Sequence, residues 1–172
     1  QGSYQEYYGG LVGKNDGLVK NCHVSGTIIG KGRVGGLIGG NVGQVEICSS
    51  NIVVSGQTDV GGLIGYNHSS IKECYSLGQV FNTATAIGGL IGHNSGTVLN
   101  CYSRADVYGN ISVGGCIGYT PSGNVDKCYS TGLVVGNTGL GGFTSYDDIC
   151  NVVKNCLWDI ETSGQDTSEG FD

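Results

Sequence analysis

Gly61-Gly62-Leu63-Ile64-Gly65-Tyr66-Asn67-His68-Ser69-Ser70-Ile71-Lys72-Glu73-Cys74-Tyr75-Ser76-Leu77-Gly78 is one copy of a unit that the chain repeats six times. The glycine pair recurs at Gly9, Gly35, Gly61, Gly88, Gly114 and Gly141, in steps of 26, 26, 27, 26 and 27 residues. A cysteine keeps the same period at Cys22, Cys48, Cys74, Cys101, Cys128 and Cys156, in steps of 26, 26, 27, 27 and 28. Two landmarks sharing one period mark a stacked repeat architecture, in which each copy buries its apolar face only against its neighbours.

Each copy contains three short runs: the Gly-Gly-Leu-Ile-Gly segment, a segment around the cysteine, and a β-branched segment such as Ile52-Val53-Val54. Val, Ile, Tyr and Thr fill the runs and Gly, Asn and Ser separate them, which is strand and turn chemistry. No window keeps a helical period. Three residues before each Cys stands Val19, Val45, Ile71, Val98, Val125 or Val153; six after it stands Ile28, Val54, Val80, Val107 or Val134. These columns are expected to face inward with the cysteines. The pattern predicts an all-β, single-domain parallel β-solenoid, read as a right-handed β-helix, of about six coils with three strands each. Residues 1–8 form a partial first coil, 9–160 the six coils, and 161–172 a polar, acidic tail that covers the far end. Stacked coils turn each position into a ladder, and Asn15, Asn41, Asn67 and Asn94 form one at a turn, where asparagine is favoured.

Composition narrows the function. Glycine makes up 34 of 172 residues, serving tight turns, and the net charge is -6. The eight Lys and Arg form no stripe, so a nucleic-acid partner is not expected. No apolar run is long enough to span a bilayer, so membrane insertion is not expected either. The chain begins at Gln1 and contains no Met, as a processed or excised product would.

Candidate sites follow from the ladders. Tyr66, His93, Tyr119 and Tyr146 share one place, as do Tyr75, Tyr102 and Tyr129. Either row could stack on itself, and the first is the candidate glycan-stacking row. The six ladder cysteines are expected as buried thiols, since side chains in register point the same way rather than at each other. Cys116 and Cys150, both off the ladder, form the candidate disulfide. Asn110 is the candidate glycosylation site, with Asn67 second because the ladder engages it. His23, His68 and His93 do not converge as a zinc site requires. Glu46, Glu73 and Asp126 fall near the Cys column among Lys72 and Lys127, and read as a surface ion-pair row rather than paired acid and base. Asp147 and Asp148 offer oxygen ligands without a calcium-loop pattern. No metal or cofactor is expected.

Gly9 to Asn15, Gly88 to Gly96, Asn100 to Ser103 and the closing Cys156-Leu-Trp-Asp-Ile-Glu-Thr-Ser-Gly-Gln resemble the GLUG repeat. The resemblance implies a scaffold of the kind found in bacterial and archaeal surface proteins, adhesin-like proteins and the non-catalytic part of some IgA-cleaving metallopeptidases. Their His-Glu-x-x-His signature is absent, so peptidase activity is not carried over. The expected function is a non-enzymatic extracellular, cell-surface structural or adhesion module, self-associating end to end into a filament. The alternative is a carbohydrate-binding β-helix, and a polysaccharide-degrading enzyme comes third.

Overall fold

The structure, a computed structural model, describes residues 6–83, 85–146 and 152–168. It is a parallel β-solenoid of stacked coils, and the coil has four faces rather than three. Sheet A holds Tyr7–Gly9, Arg33–Gly35, Asp59–Gly61, Ala86–Gly88, Ile111–Gly114 and Thr138–Gly141. Sheet B holds Val12–Asn15, Ile38–Asn41, Ile64–Asn67, Ile91–Asn94 and Ile117–Tyr119. Sheet C holds the two- or three-residue strands before the cysteines, such as Ser70–Lys72. Sheet D follows the cysteines: His23–Ile29, Ser49–Gly56 and Tyr75–Asn82 are continuous, and later coils split into pairs such as Tyr102–Ser103 and Asp106–Tyr108. The three-run expectation fails because Gly-Gly-Leu-Ile-Gly is not one strand. Gly61 closes sheet A, Gly62 and Leu63 turn, and Ile64 opens sheet B. The turn itself stacks, with Leu63 N–H donating to Leu90 O at 2.9 Å.

The predicted inward columns are buried. Val45, Ile71, Val98 and Val125 pack with Leu37, Leu63, Leu90 and the ladder cysteines in one core cluster. Val54, Val80, Val107 and Val134 pack with Val34, Val60, Ile87 and Val113 in a second. A column of serines is buried as well. Ser50, Ser76 and Ser130, two residues after a cysteine, donate to the turn carbonyls of Gly62, Gly89 and Gly142 at 2.7, 2.6 and 2.6 Å. Buried carbonyls need such partners. Val24 pairs with Ser50 in the first coil and Trp158 with Ser130 in the last, so apolar side chains replace the serine at both ends of this column.

The cysteine ladder is a hydrogen-bonded column of free thiols. The backbone N–H of Cys22, Cys48, Cys74 and Cys101 each donates to the sulfur one coil on, at 3.3–3.4 Å. Cys48 Sγ also donates to Glu46 O at 3.1 Å, and burial pushes its thiol up to about 11. Cys116 is likewise a fully buried free thiol; Cys150, named with it, lies outside the described residues.

Just before each cysteine the backbone turns through the left-handed region, at Asn21, Ile47, Glu73, Asn100, Lys127 and Asn155, with φ of 51–54°. Asparagine tolerates this angle; a β-branched residue does not. Ile47 is about half exposed, so its side chain contributes little burial in return. Ile47→Asn is therefore expected to stabilise the chain by about 1 kcal/mol, seen as a raised denaturant midpoint at unchanged slope. A lowered midpoint would contradict the strained angle.

The far end is closed by the segment after Trp158. Asp159 caps a short helix, Ile160–Ser163, which ends at Gly164 with φ 67°. Thr167 O then accepts from Gly142 N–H at 3.0 Å, and Gln165 Nε2 donates to Val134 O at 3.0 Å. The acidic end of the tail, from position 169, and Asp147 and Asp148 lie outside the described residues.

Candidate functional site

Sheets A and B meet along a seam where the backbones nearly touch. A Cβ on Gly65 would lie 2.8 Å from Val34 N, and one on Gly92 would lie 2.5 Å from Val60 N. Glycine at these places lets the two strands close on each other, so the outward side chains of both sheets share one surface. On the sheet B side the column is Lys14, Gly40, Tyr66, His93 and Tyr119. On the sheet A side it begins Tyr7, Arg33, Asp59 and Ala86, and Ser112 lies further along the same strand position.

The lower half of this seam is filled. Tyr7 covers Gly40. The Arg33 guanidinium lies 3.7 Å over the Tyr66 ring, donates to Asp59 Oδ2 at 2.8 Å, and donates to Tyr7 Oη at 3.2 Å. One face of Tyr66, a member of the candidate glycan-stacking row, is thus covered by a cation. Among the described residues the upper half is open. Small residues, Ala86 and Ser112, face Tyr119 and Tyr146 across a cleft of about 420 Å³ that Asp59 and His93 also line.

The two aromatic rows differ in a way the sequence does not show. Tyr75, Tyr102 and Tyr129 stack face to face, with centroids 4.8 and 4.9 Å apart and planes within 5°. Tyr66, His93, Tyr119 and Tyr146 keep similar spacing, but successive planes turn by 57°, 82° and 34°. The first row is satisfied by its own stacking. The second is broken up, and its members turn beside the cleft.

Charge in the cleft is set by position. Burial pushes the His93 imidazole below its usual range, against the pull of Asp59, whose Oδ1 is 3.8 Å from Nδ1. His93 is therefore neutral near pH 7; its Nε2 lies 3.3 Å from Ser95 Oγ, and its Nδ1 faces Asp59. Asp59 is an anchored acceptor, held by Arg33. Ser112 sits at φ 51°, a strained angle of the sort that concentrates at functional sites.

The remaining candidates are placed elsewhere. Asn67 is fully buried and donates from Nδ2 to Asn94 Oδ1 at 2.8 Å and to Ser69 O at 2.9 Å; a glycan cannot be attached there without breaking the ladder. Asn110 is half-exposed and accepts from Asn137 Nδ2 at 2.6 Å. Glu46 pairs with Lys20 at 2.7 Å, which holds its carboxyl below the usual range, and Glu73 pairs with Lys72 at 3.2 Å. Asp126 accepts from Asn155 at 2.7 Å. These carboxylates are surface partners of neighbouring side chains, and they lie on sheet C and its following turn, away from the seam.

The family comparison matches the GLUG motif at residues 4–29, 56–80 and 83–108. The chain carries GLUG repeats. Each matched interval covers about one coil, running through a strand of sheet A, one of sheet B and one of sheet C and into sheet D. The GLUG coils supply the ladders that hold the rod, while the seam side chains vary from coil to coil. Comparison with curated proteins and with solved structures finds no match.

Proposed function

We propose that this GLUG-repeat chain is a non-enzymatic extracellular adhesion module that holds carbohydrate in the seam cleft. The observation that carries the reading is the change along the seam from large to small residues in sheet A, which opens space beside Tyr119 and Tyr146. A cleft of about 420 Å³ is within the ordinary range of ligand sites. Aromatic side chains give a sugar an apolar wall, and Asp59, Ser112 and His93 give its hydroxyls a fixed acceptor, a hydroxyl and a neutral imidazole. The cleft's carboxylate is ion-paired with Arg33, which suits it to accept hydrogen bonds rather than to act as an acid. The extracellular setting follows the company this repeat keeps in surface proteins.

A glycan array tests the reading. Wild-type chain is expected to bind at least one glycan class, and Tyr119→Ala to weaken that binding by more than about tenfold, or ~1.4 kcal/mol, at an unchanged melting temperature. Binding to no glycan at all would sink it.

A second reading, end-to-end self-association, is favoured by the first coil. Leu11 and Leu18 are 49% and 58% exposed there, and Val12, Cys22 and Val24 are only partly covered against the core. Its strands are the edge members of sheets A, B and C, and parallel edges recruit further strands. Light scattering across concentration is expected to show growing rods; a constant monomer mass would remove this reading.

A further inference from the structure

We propose a second carbohydrate subsite, in the groove where sheet D turns into sheet A, with a pyranose ring seated on the rung of Ser55 between Ile29 and Phe81. This subsite is independent of the seam cleft and lies on a different corner of the coil. The outward column at the end of sheet D reads Ile29, Ser55, Phe81, Tyr108 and Val135 in register. Phe81 and Tyr108 stack with centroids 5.0 Å apart and planes 11° apart. The next place in that stack holds Ser55, whose short side chain leaves a slot one rung deep, about 4.8 Å per rung, with Ile29 beyond it. Ile29 is 75% exposed and Phe81 37% exposed, so the slot has an apolar floor and roof that face solvent.

The slot opens into a groove of about 880 Å³. Its other wall is formed by the corner loops, which bring Lys31, Gln57 and Thr83 to the rim. A pyranose matches this arrangement. Its two faces carry C–H groups and its perimeter carries hydroxyls, so apolar residues belong above and below it and polar ones around it. An aromatic side chain would use the slot but leave the polar rim without a purpose. Glu6 and Lys31 both line the groove and offset each other's charge, which favours a neutral saccharide over a uronic or sulfated one. The length of the groove along the rod favours several linked sugars over a single one.

The test is a nuclear magnetic resonance titration of the whole chain, read at the ring signals of Phe81 and Tyr108. The probes are neutral oligosaccharides of glucose, xylose, mannose and N-acetylglucosamine, each at millimolar concentration, and N-acetyl-tyrosinamide as an aromatic control. At least one oligosaccharide is expected to shift both rings. Ser55→Phe fills the slot with the chain's own ring, and is expected to abolish that shift without lowering the melting temperature and without changing any response at Tyr119. Should Ser55→Phe fail to fold, Phe81→Ala serves instead, and the Tyr108 response is then expected to disappear. The proposal is overturned if no oligosaccharide moves these signals, if only the tyrosinamide does, or if the shift survives Ser55→Phe. Responses at Tyr119 and Tyr146 report the seam cleft separately, so either site can fail alone.

Discussion

Gly61→Ala is expected to abolish the cooperative fold. A Cβ at this position would lie 2.1 Å from Ile64 O, 2.7 Å from Gly92 N and 2.9 Å from Ile64 C. All three are backbone atoms of the turn and of the next coil, so no side-chain rotation relieves the clash. Moving them apart would break the rung-to-rung bonds that Leu63 and Ile64 make to Leu90 O at 2.9 and 3.0 Å. The loss should exceed about 4 kcal/mol, a large part of the stability of an ordinary domain. Circular dichroism during urea unfolding checks it. Gly17→Ala is the control, because a Cβ there meets nothing within 4 Å, and its effect should stay within about 0.5 kcal/mol. Equal, small effects at both positions would show that the sheets are not packed through their glycines.

Asn67→Ala carries the second large effect. Asn67 Oδ1 accepts from Asn41 Nδ2 at 2.8 Å and from Ser69 N–H at 3.3 Å, while its Nδ2 donates to Asn94 Oδ1 and Ser69 O. Asn41, Asn67 and Asn94 are all fully buried. Truncation removes four bonds and takes a partner from each of two buried amides. Each such group costs about 1–3 kcal/mol when left unpaired, so the expected loss is about 4 kcal/mol, read from the denaturant midpoint. Asn15→Ala should cost less, because Asn15 stands at the end of the ladder and only Asn41 loses a side-chain partner. If Asn67→Ala and Asn15→Ala cost the same, the ladder is not acting as a connected column.

What was readable in the sequence is what repeats. The Cys and Asn columns, the Val column before each cysteine and the β-branched column after it all keep the period, and the solenoid follows from them. The serine column repeats as Cys-x-Ser at Cys48, Cys74, Cys101 and Cys128, and was open to the same reading. Serine is common enough in turns that it looked like a separator rather than a buried donor. The fourth face was hidden for a different reason. Gly-Gly-Leu-Ile-Gly has strand composition, but its second glycine stacks a turn on the carbonyl of the next coil, with Gly62 against Gly89 O. Composition does not report that approach.

The candidate cleft lay beyond the repeat altogether. Tyr66 and Tyr119 are equivalent by period, yet Arg33, from the neighbouring coil, covers one and not the other. The difference depends on Arg33, Asp59, Ala86 and Ser112, four unlike residues at one structural place. A period search treats them as noise, and only their shared seam makes them a wall. The same holds for Ile29, Ser55 and Phe81, where the informative residue is the small one between two large ones.

Carbohydrate binding in the seam is tested by a crystal structure of the chain grown with the best-binding glycan from the array. A sugar ring is expected in the seam beside Tyr119 and Tyr146, with hydroxyls on Asp59 and Ser112. A glycan seated only outside the seam, or one still occupying the seam in crystals of Tyr119→Ala, would contradict the seam as the binding site.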